Sequence, residues 1–387
     1  MSTPTAASPF HTRYRLPFIG LMAVSFIYFV LQIAKDFSRG GNPWKQGDWL
    51  INSVNVPVRR SFSGDVLIWV SDATGIGLVL LVCVAQVVLA AVVYFTVTRL
   101  ALRDGSGSLM LITLSGSFFV FFWMADAQGA GRKELLAFAS LGLFTLGLAE
   151  RRLWMALLGA VLMPMAVASH EAMILFLPIM GIVYLVHRQK VRRRRRIFDV
   201  FAWGSAFACF AILGEALLTA EIVDHMVVCT PLLERNVPEV MCSAAIQWLE
   251  EDLAHGVGEV MAATTFMSLL QLAIGYVLAL VPLVYVAQLS TGRMAMLLAL
   301  LPALLFLPLY IFSLDYGRWI SFHIFASFIL FAATLGKGRV KLREKPSVAL
   351  VPIFALLGAA IVHNHTSMIY WGGVIRRLGG DVLEFVL

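Results

Sequence analysis

The sequence predicts an all-α, polytopic integral membrane protein of about eleven transmembrane helices, N-terminus inside and C-terminus outside. Three observations predict it. The chain of 387 residues is 60% hydrophobic and 14% charged, whereas a soluble domain is roughly half apolar and a quarter charged. Several apolar stretches reach the ~20 residues that a helix needs to cross the hydrocarbon core, and the mean hydropathy is +0.84. The alternating segments of a β-barrel are missing from the sequence. Basic residues flank the apolar stretches: His187–Arg196 and Lys337–Lys345 hold much of the formal charge of +7. Directly following apolar segments, they read as cytoplasmic anchors beside anionic lipid, not as nucleic-acid contacts.

Residues 1–15 are polar and carry His11, Arg13 and Arg15. The apolar run behind them is longer than a signal h-region and ends without a small-residue cleavage site, so it reads as an uncleaved first helix. Spans are expected at approximately 16–35, 75–99, 108–126, 134–149, 153–169, 171–187, 198–220, 260–288, 294–313, 318–335 and 347–363. The arginines after the sixth span fix that end as cytoplasmic. Arg99, Arg103, Arg151, Arg152 and Arg293 then also fall inside, as the positive-inside bias requires. The basic loops 187–197 and 336–346 lie inside, and the large loops 36–74 and 221–259 lie outside with the tail from 364. Residues 1–387 read as one transmembrane domain without an internal repeat.

Cys229 and Cys242 share the second outer loop, where an oxidising exterior favours a disulfide. Cys83 and Cys209 fall in apolar helices and act as small hydrophobes. No CxxC or HExxH spacing occurs, so no metal site is expected.

The charges at the outer ends of the spans carry the functional expectation. Charge at a membrane boundary is costly, yet mixed acids and bases converge on one side. The first outer loop holds Asp48, then Arg59-Arg60-Ser61-Phe62-Ser63-Gly64, a pattern suited to a diphosphate. Asp126 precedes Gly129-Ala130-Gly131-Arg132-Lys133-Glu134, a glycine turn opening a helix whose N-terminus suits an anion. His170-Glu171 joins two spans and offers a general base. Asp315-Tyr316-Gly317-Arg318-Trp319 opens the tenth span: Asp315 suits a helix cap and Trp319 an interfacial anchor, but Arg318 is on the wrong side for an anchor. Glu215 and His323, inside spans, read as helix–helix contacts. The tail residues His363, His365, Tyr370, Trp371, Arg376 and Arg377 read as a membrane-surface segment without assigned chemistry.

The stretches GDWLIN…VPVRRSFSG, GRKE, HE and DYGRW give the chain a resemblance to O-antigen and exopolysaccharide polymerases (Wzy-like, EpsG-like) and to the wider GT-C class of lipid-linked sugar transferases. The resemblance implies transfer of polyprenyl-(di)phosphate-linked sugars on the outer face of the cytoplasmic (inner) membrane. It implies membrane lipids and other polysaccharide-assembly proteins as partners, and no cofactor. GT-C enzymes keep an acid in the first outer loop as base. Asp48 is the nearest match, with Asp36 and Asp65 as rivals, Glu171 second and His170 beside it. Arg59, Arg60, Arg132, Lys133 and Arg318, with Asp315, would hold the phosphate of the carrier. The chain departs from classical members in lacking a large soluble C-terminal domain and a double-acidic pair after the first helix. A flippase of lipid-linked oligosaccharide, a sugar O-acyltransferase using His170 and a structural membrane subunit are the other readings.

Overall fold

The structure, a computed structural model, describes residues 9–188, 195–219, 222–291, 293–335, 340–366 and 369–386. Most of the basic run after the sixth predicted span, and the start of the run at 337–345, lie outside the described residues. In chain order the longer helices are α1 (Pro9–Ser38), α2 (Phe62–Thr74), α3 (Leu78–Arg103), α4 (Glu134–Glu150), α5 (Leu153–Ser169), α6 (Leu177–His187) and α7 (Arg195–Leu218). They continue as α8 (Leu253–Ala263), α9 (Phe266–Gln288), α10 (Arg293–Phe306), α11 (Tyr316–Leu335), α12 (Leu350–Ala360) and α13 (Gly373–Val386). A two-stranded antiparallel hairpin, β1 (Ile361–His363) with β2 (Ile369–Trp371), precedes α13.

Among the described residues six helical segments are long and apolar enough to cross a membrane: Arg13–Ser38, Leu78–Arg103, Arg196–Leu218, Phe266–Gln288, Arg293–Phe312 and Tyr316–Leu335. The chain is a helical membrane protein. Helix α4 has 17 residues, about 25 Å of rise, short of the ~30 Å hydrocarbon core. It does not have to match lipid, because α3 and α5 pack along it and its side chains are buried from Glu134 to Leu148. Helix α11 is similarly enclosed, by α6, α9 and α10. At its centre His323 donates from Nε2 to the Ala299 carbonyl (2.6 Å) and accepts the Tyr276 hydroxyl at Nδ1 (2.5 Å), a contact of three helices.

Several predicted spans are interrupted, and each break has a local cause. Residues 108–126 do not form one helix. Two short helices, Ser108–Ile112 and Phe119–Ala125, flank Ser115-Gly116-Ser117, three weak helix formers in a row. The Ser115 hydroxyl instead bonds the Ala279 carbonyl of α9 (2.7 Å). The expected span 260–288 starts only at Phe266, where Thr265 and Ser268 form a reciprocal capping box and end α8. The stretch 171–187 opens as a 3₁₀ turn, Glu171–Phe176, before α6. The expected span 347–363 is helical only to Ala360 and leaves as β1. Glu215 lies on the exposed face of α7, not at a helix contact.

The two predicted outer loops are folded against each other as a cap. Asn52 Nδ2 donates to the Val228 carbonyl (2.9 Å), and Arg235 forks onto Asp72 (2.7 and 2.8 Å). Cys229 and Cys242 are joined, with Cα atoms 5.6 Å apart. Removing that link by Cys229→Ser is expected to destabilise the cap by about 2–4 kcal/mol, seen as faster proteolysis within 222–263. Equal cleavage rates in wild type and variant would contradict it.

Candidate functional site

The buried charges of the bundle gather in one place. Among the described residues the buried lysine, arginine, aspartate and glutamate side chains are Lys45, Asp48, Asp126, Arg132, Lys133, Glu134 and Arg318. All belong to a single neighbourhood, built by five separate stretches of chain.

Asp48 sits in a one-turn helix, Gln46–Trp49, held down by Trp49 Nε1 donating to the Gly131 carbonyl (3.0 Å). Its carboxylate faces the wholly buried Lys133 ammonium at 3.6 Å, and Lys133 also donates to the Arg60 carbonyl (2.9 Å). Arg60 has left-handed backbone (φ 67°), an uncommon state for a side chain with a Cβ. Two anchors hold it there: that carbonyl bond, and a fork from Nε and Nη2 onto Glu171 at 2.6–3.0 Å. Arg59 precedes it, half-buried. Next to Glu171, His170 Nδ1 accepts the Ala172 amide (3.3 Å), which leaves the proton on Nε2. Burial, reinforced by Arg60, pushes the His170 pKa down to about 3 against the pull of Glu171, so the ring is neutral at pH 7.

On the other flank Arg318 bridges α11 to α4. Nη2 meets Glu134 at 2.8 Å and Nη1 meets Asp315 at 2.7 Å, with the guanidinium 3% exposed. Trp319 is buried and stacks near Arg318 (5.2 Å), which corrects the expectation of an interfacial anchor. Asp315 contributes its side chain to Arg318 rather than to a helix cap. Arg132 differs from the rest. Its Nε bonds the Gln128 carbonyl (3.2 Å) and its guanidinium lies over Trp44 (5.6 Å), but among the described residues no carboxylate lies within ion-pair distance. Burial, then the Arg318 charge, lowers its pKa.

Burial alone would raise the Asp48 pKa. The Lys133 ammonium, with Arg132 and Arg318 behind it, more than reverses this and holds the carboxyl below the ordinary carboxylate range. Such a group stabilises the fold above its unfolded value of about 3.9, and the contribution is lost as pH falls through the lower folded value. Asp48→Asn is therefore expected to cost more stability at pH 7 than at about pH 2. Melting curves that differ equally at both pH values would contradict this.

The expected glycine sites are structural. Gly64 is packed against the Ile51 carbonyl, and Ser63 bonds the Trp49 carbonyl (3.1 Å), so neither faces a ligand. The Gly131 carbonyl accepts Gln86 as well as Trp49, and the first amides of α4 (Leu135, Leu136) bond the Arg132 and Lys133 carbonyls. Two of the amides that would face an anion at this helix N-terminus are thus already engaged. Of the rival acids, Asp65 bonds Ser53 twice at 2.7 Å and Asp36 pairs with Lys45.

Beside the network opens a cavity of about 360 Å³ that sequence reasoning did not locate. Lys35, Asp36 and Arg39 at the end of α1, Lys45, Asp126 and Gln128, and the tail residues His365 and Arg377 line it. Part of the tail thus folds back onto the bundle. Asp126 draws it in: Oδ2 accepts both the His365 ring Nδ1–H (2.6 Å) and the His365 backbone amide. Oδ1 accepts the amides of Gln128 (3.1 Å) and Gly129 (3.2 Å). One signal was available in the sequence. Lys35 and Arg39 are basic residues one helical turn apart at the predicted outer end of the first span, against the usual charge bias.

Asp224, His225 and Glu250 also converge, exposed on the cap, with ligand atoms close enough to share a metal ion. Their contacts have a structural reason: Asp224 caps the helix His225–Leu233 and Glu250 accepts from His225 (2.6 Å). No protein-family model matches the chain, and neither a curated protein nor a solved structure is similar to it.

Proposed function

We propose that the chain is a glycosyltransferase or polymerase that uses polyprenyl-(di)phosphate-linked sugars at the outer face of the cytoplasmic membrane, in exopolysaccharide or O-antigen assembly. The observation that carries this reading is the gathering of every buried lysine, arginine, aspartate and glutamate among the described residues at one end of an apolar bundle, next to a cavity. A donor with a lipid tail and a charged phosphate requires both environments side by side. A topology with the N-terminus inside and the network at the outer face belongs to the same proposal. A flippase needs a polar path through both leaflets, and the one-sided charge argues against it.

Within this reading Arg60, Lys133 and Arg318, each already facing a carboxylate, fix the electrostatic frame, with Arg59 beside them. Asp48, Glu171 and Asp315 neutralise that frame. Arg132, buried and unmatched by a carboxylate, is the cation of the network left to add positive potential beside the cavity as charge grows on the leaving group. Arg132→Gln is expected to reduce product by about 10²–10³-fold with little change in melting temperature. The functional reading itself is tested by a deletion strain. Lipid-linked repeat units should accumulate while long surface chains disappear; an unchanged size profile would remove it.

A further inference from the structure

The sequence-level candidates for a general base, Asp48 and Glu171, each face a cation at ion-pair distance, and neither lines the cavity. A carboxylate held in its ionised form by such a partner is a poor proton acceptor near neutrality. The cavity wall holds a better arrangement.

Resting on the function proposed above, we propose that Asp126 and His365 form the proton-transfer pair of the cavity, with Lys35, Arg39, Lys45 and Arg377 binding the phosphate or diphosphate of the donor beside it. The pair has the geometry of a base with its orienting carboxylate. Asp126 Oδ2 takes the Nδ1–H of His365 at 2.6 Å, so the free lone pair is on Nε2. Asp126 is itself fixed by three backbone amides, those of Gln128, Gly129 and His365, and is 8% exposed. The His365 side chain keeps 25% of its surface exposed, and it lines the cavity.

The cations are placed for an anion. Four basic residues line the cavity against two carboxylates, one of which (Asp36) is paired to Lys45 and the other (Asp126) to His365. The step then balances. The hydroxyl proton of an acceptor sugar moves to His365 Nε2 as its oxygen bonds the anomeric carbon. The bond from that carbon to the phosphate oxygen breaks, and the departing phosphate keeps the electron pair among the cations. His365 afterwards returns its proton to water.

The test uses the full-length protein in two measurements. In the deletion strain, wild type should restore long chains, whereas His365→Asn should lose about 10²–10⁴-fold in product at unchanged melting temperature, and Asp126→Asn, which also loosens the tail, should lose at least as much. Imidazole added to membranes carrying His365→Ala should recover part of the transfer, which a purely structural histidine would not allow. Separately, inorganic diphosphate should raise the melting temperature of the purified wild type and of His365→Asn alike, and Arg39→Ala with Arg377→Ala should abolish that shift. Full complementation by His365→Asn would overturn the base. Absence of any diphosphate shift in wild type would overturn the anion site. A deletion strain with an unchanged polysaccharide profile would instead overturn the functional reading, and the diphosphate measurement would still decide the anion site.

Discussion

Arg318→Ala is expected to destabilise the protein by about 3–5 kcal/mol, the largest effect of any single change in the charged network. Its guanidinium is the partner of both Glu134 and Asp315, and Arg318 and Glu134 are almost fully buried. Removing it strands two carboxylates in a neighbourhood from which water is largely excluded. The cost comes from that uncompensated charge, not from the attraction that the pair contributed. The double variant Arg318→Ala with Glu134→Gln should therefore recover part of the loss. Thermal unfolding of wild type, Arg318→Ala and the double variant in one detergent checks this, and a double variant less stable than Arg318→Ala alone would contradict it. Arg318→Lys keeps one charge but not the fork, and should fall between.

Gly317→Ala is the second large effect. An added Cβ would lie 1.9 Å from the Asn364 carbonyl oxygen, inside any permitted contact and against backbone rather than a flexible side-chain tip. Either the start of α11 or the turn after β1 has to move. The turn carries His365, so its displacement breaks the bonds to Asp126 as well. Overpacking of this kind typically costs about 1–3 kcal/mol. The loss of product should exceed what that destabilisation alone explains, because a shift of about 1 Å in a catalytic group costs on the order of 10²-fold. A Gly317→Ala protein with normal product and normal melting would show that the hairpin position is irrelevant to the activity.

Much of this arrangement was legible in the sequence. Apolar length predicted α1, α3, α7 and α11 closely, because a run of about 20 apolar residues has few stable alternatives in a bilayer. The convergence of Asp48, Arg60, Lys133, Glu171 and Arg318 followed from charge being costly at a membrane edge. What failed to show was decided by distant partners. Residues 108–126 look like a span because hydropathy counts Phe118, Phe119 and Trp123 as lipid-facing, whereas here they pack inside against one another and against α4 and α11. The tail looked unattached because nothing local marks His365 as a partner of Asp126, 239 positions earlier. The cavity required both facts, so its lining could not be assembled from motifs. Glycines 64 and 131 misled in the opposite way: their spacing suits a phosphate loop, but Gly64 admits the Ile51 backbone, and Gly131, with left-handed φ (76°), has its carbonyl taken by the Trp49 and Gln86 side chains.

The most direct measurement is transfer by the purified full-length protein in a lipid nanodisc, given the lipid-linked repeat units that accumulate in the deletion strain. Longer lipid-linked chains should form, with one polyprenyl diphosphate released for every linkage made, and His365→Asn should remove both. A folded wild-type protein that leaves the lipid-linked units unconsumed would contradict the assignment of sugar transfer to this cavity.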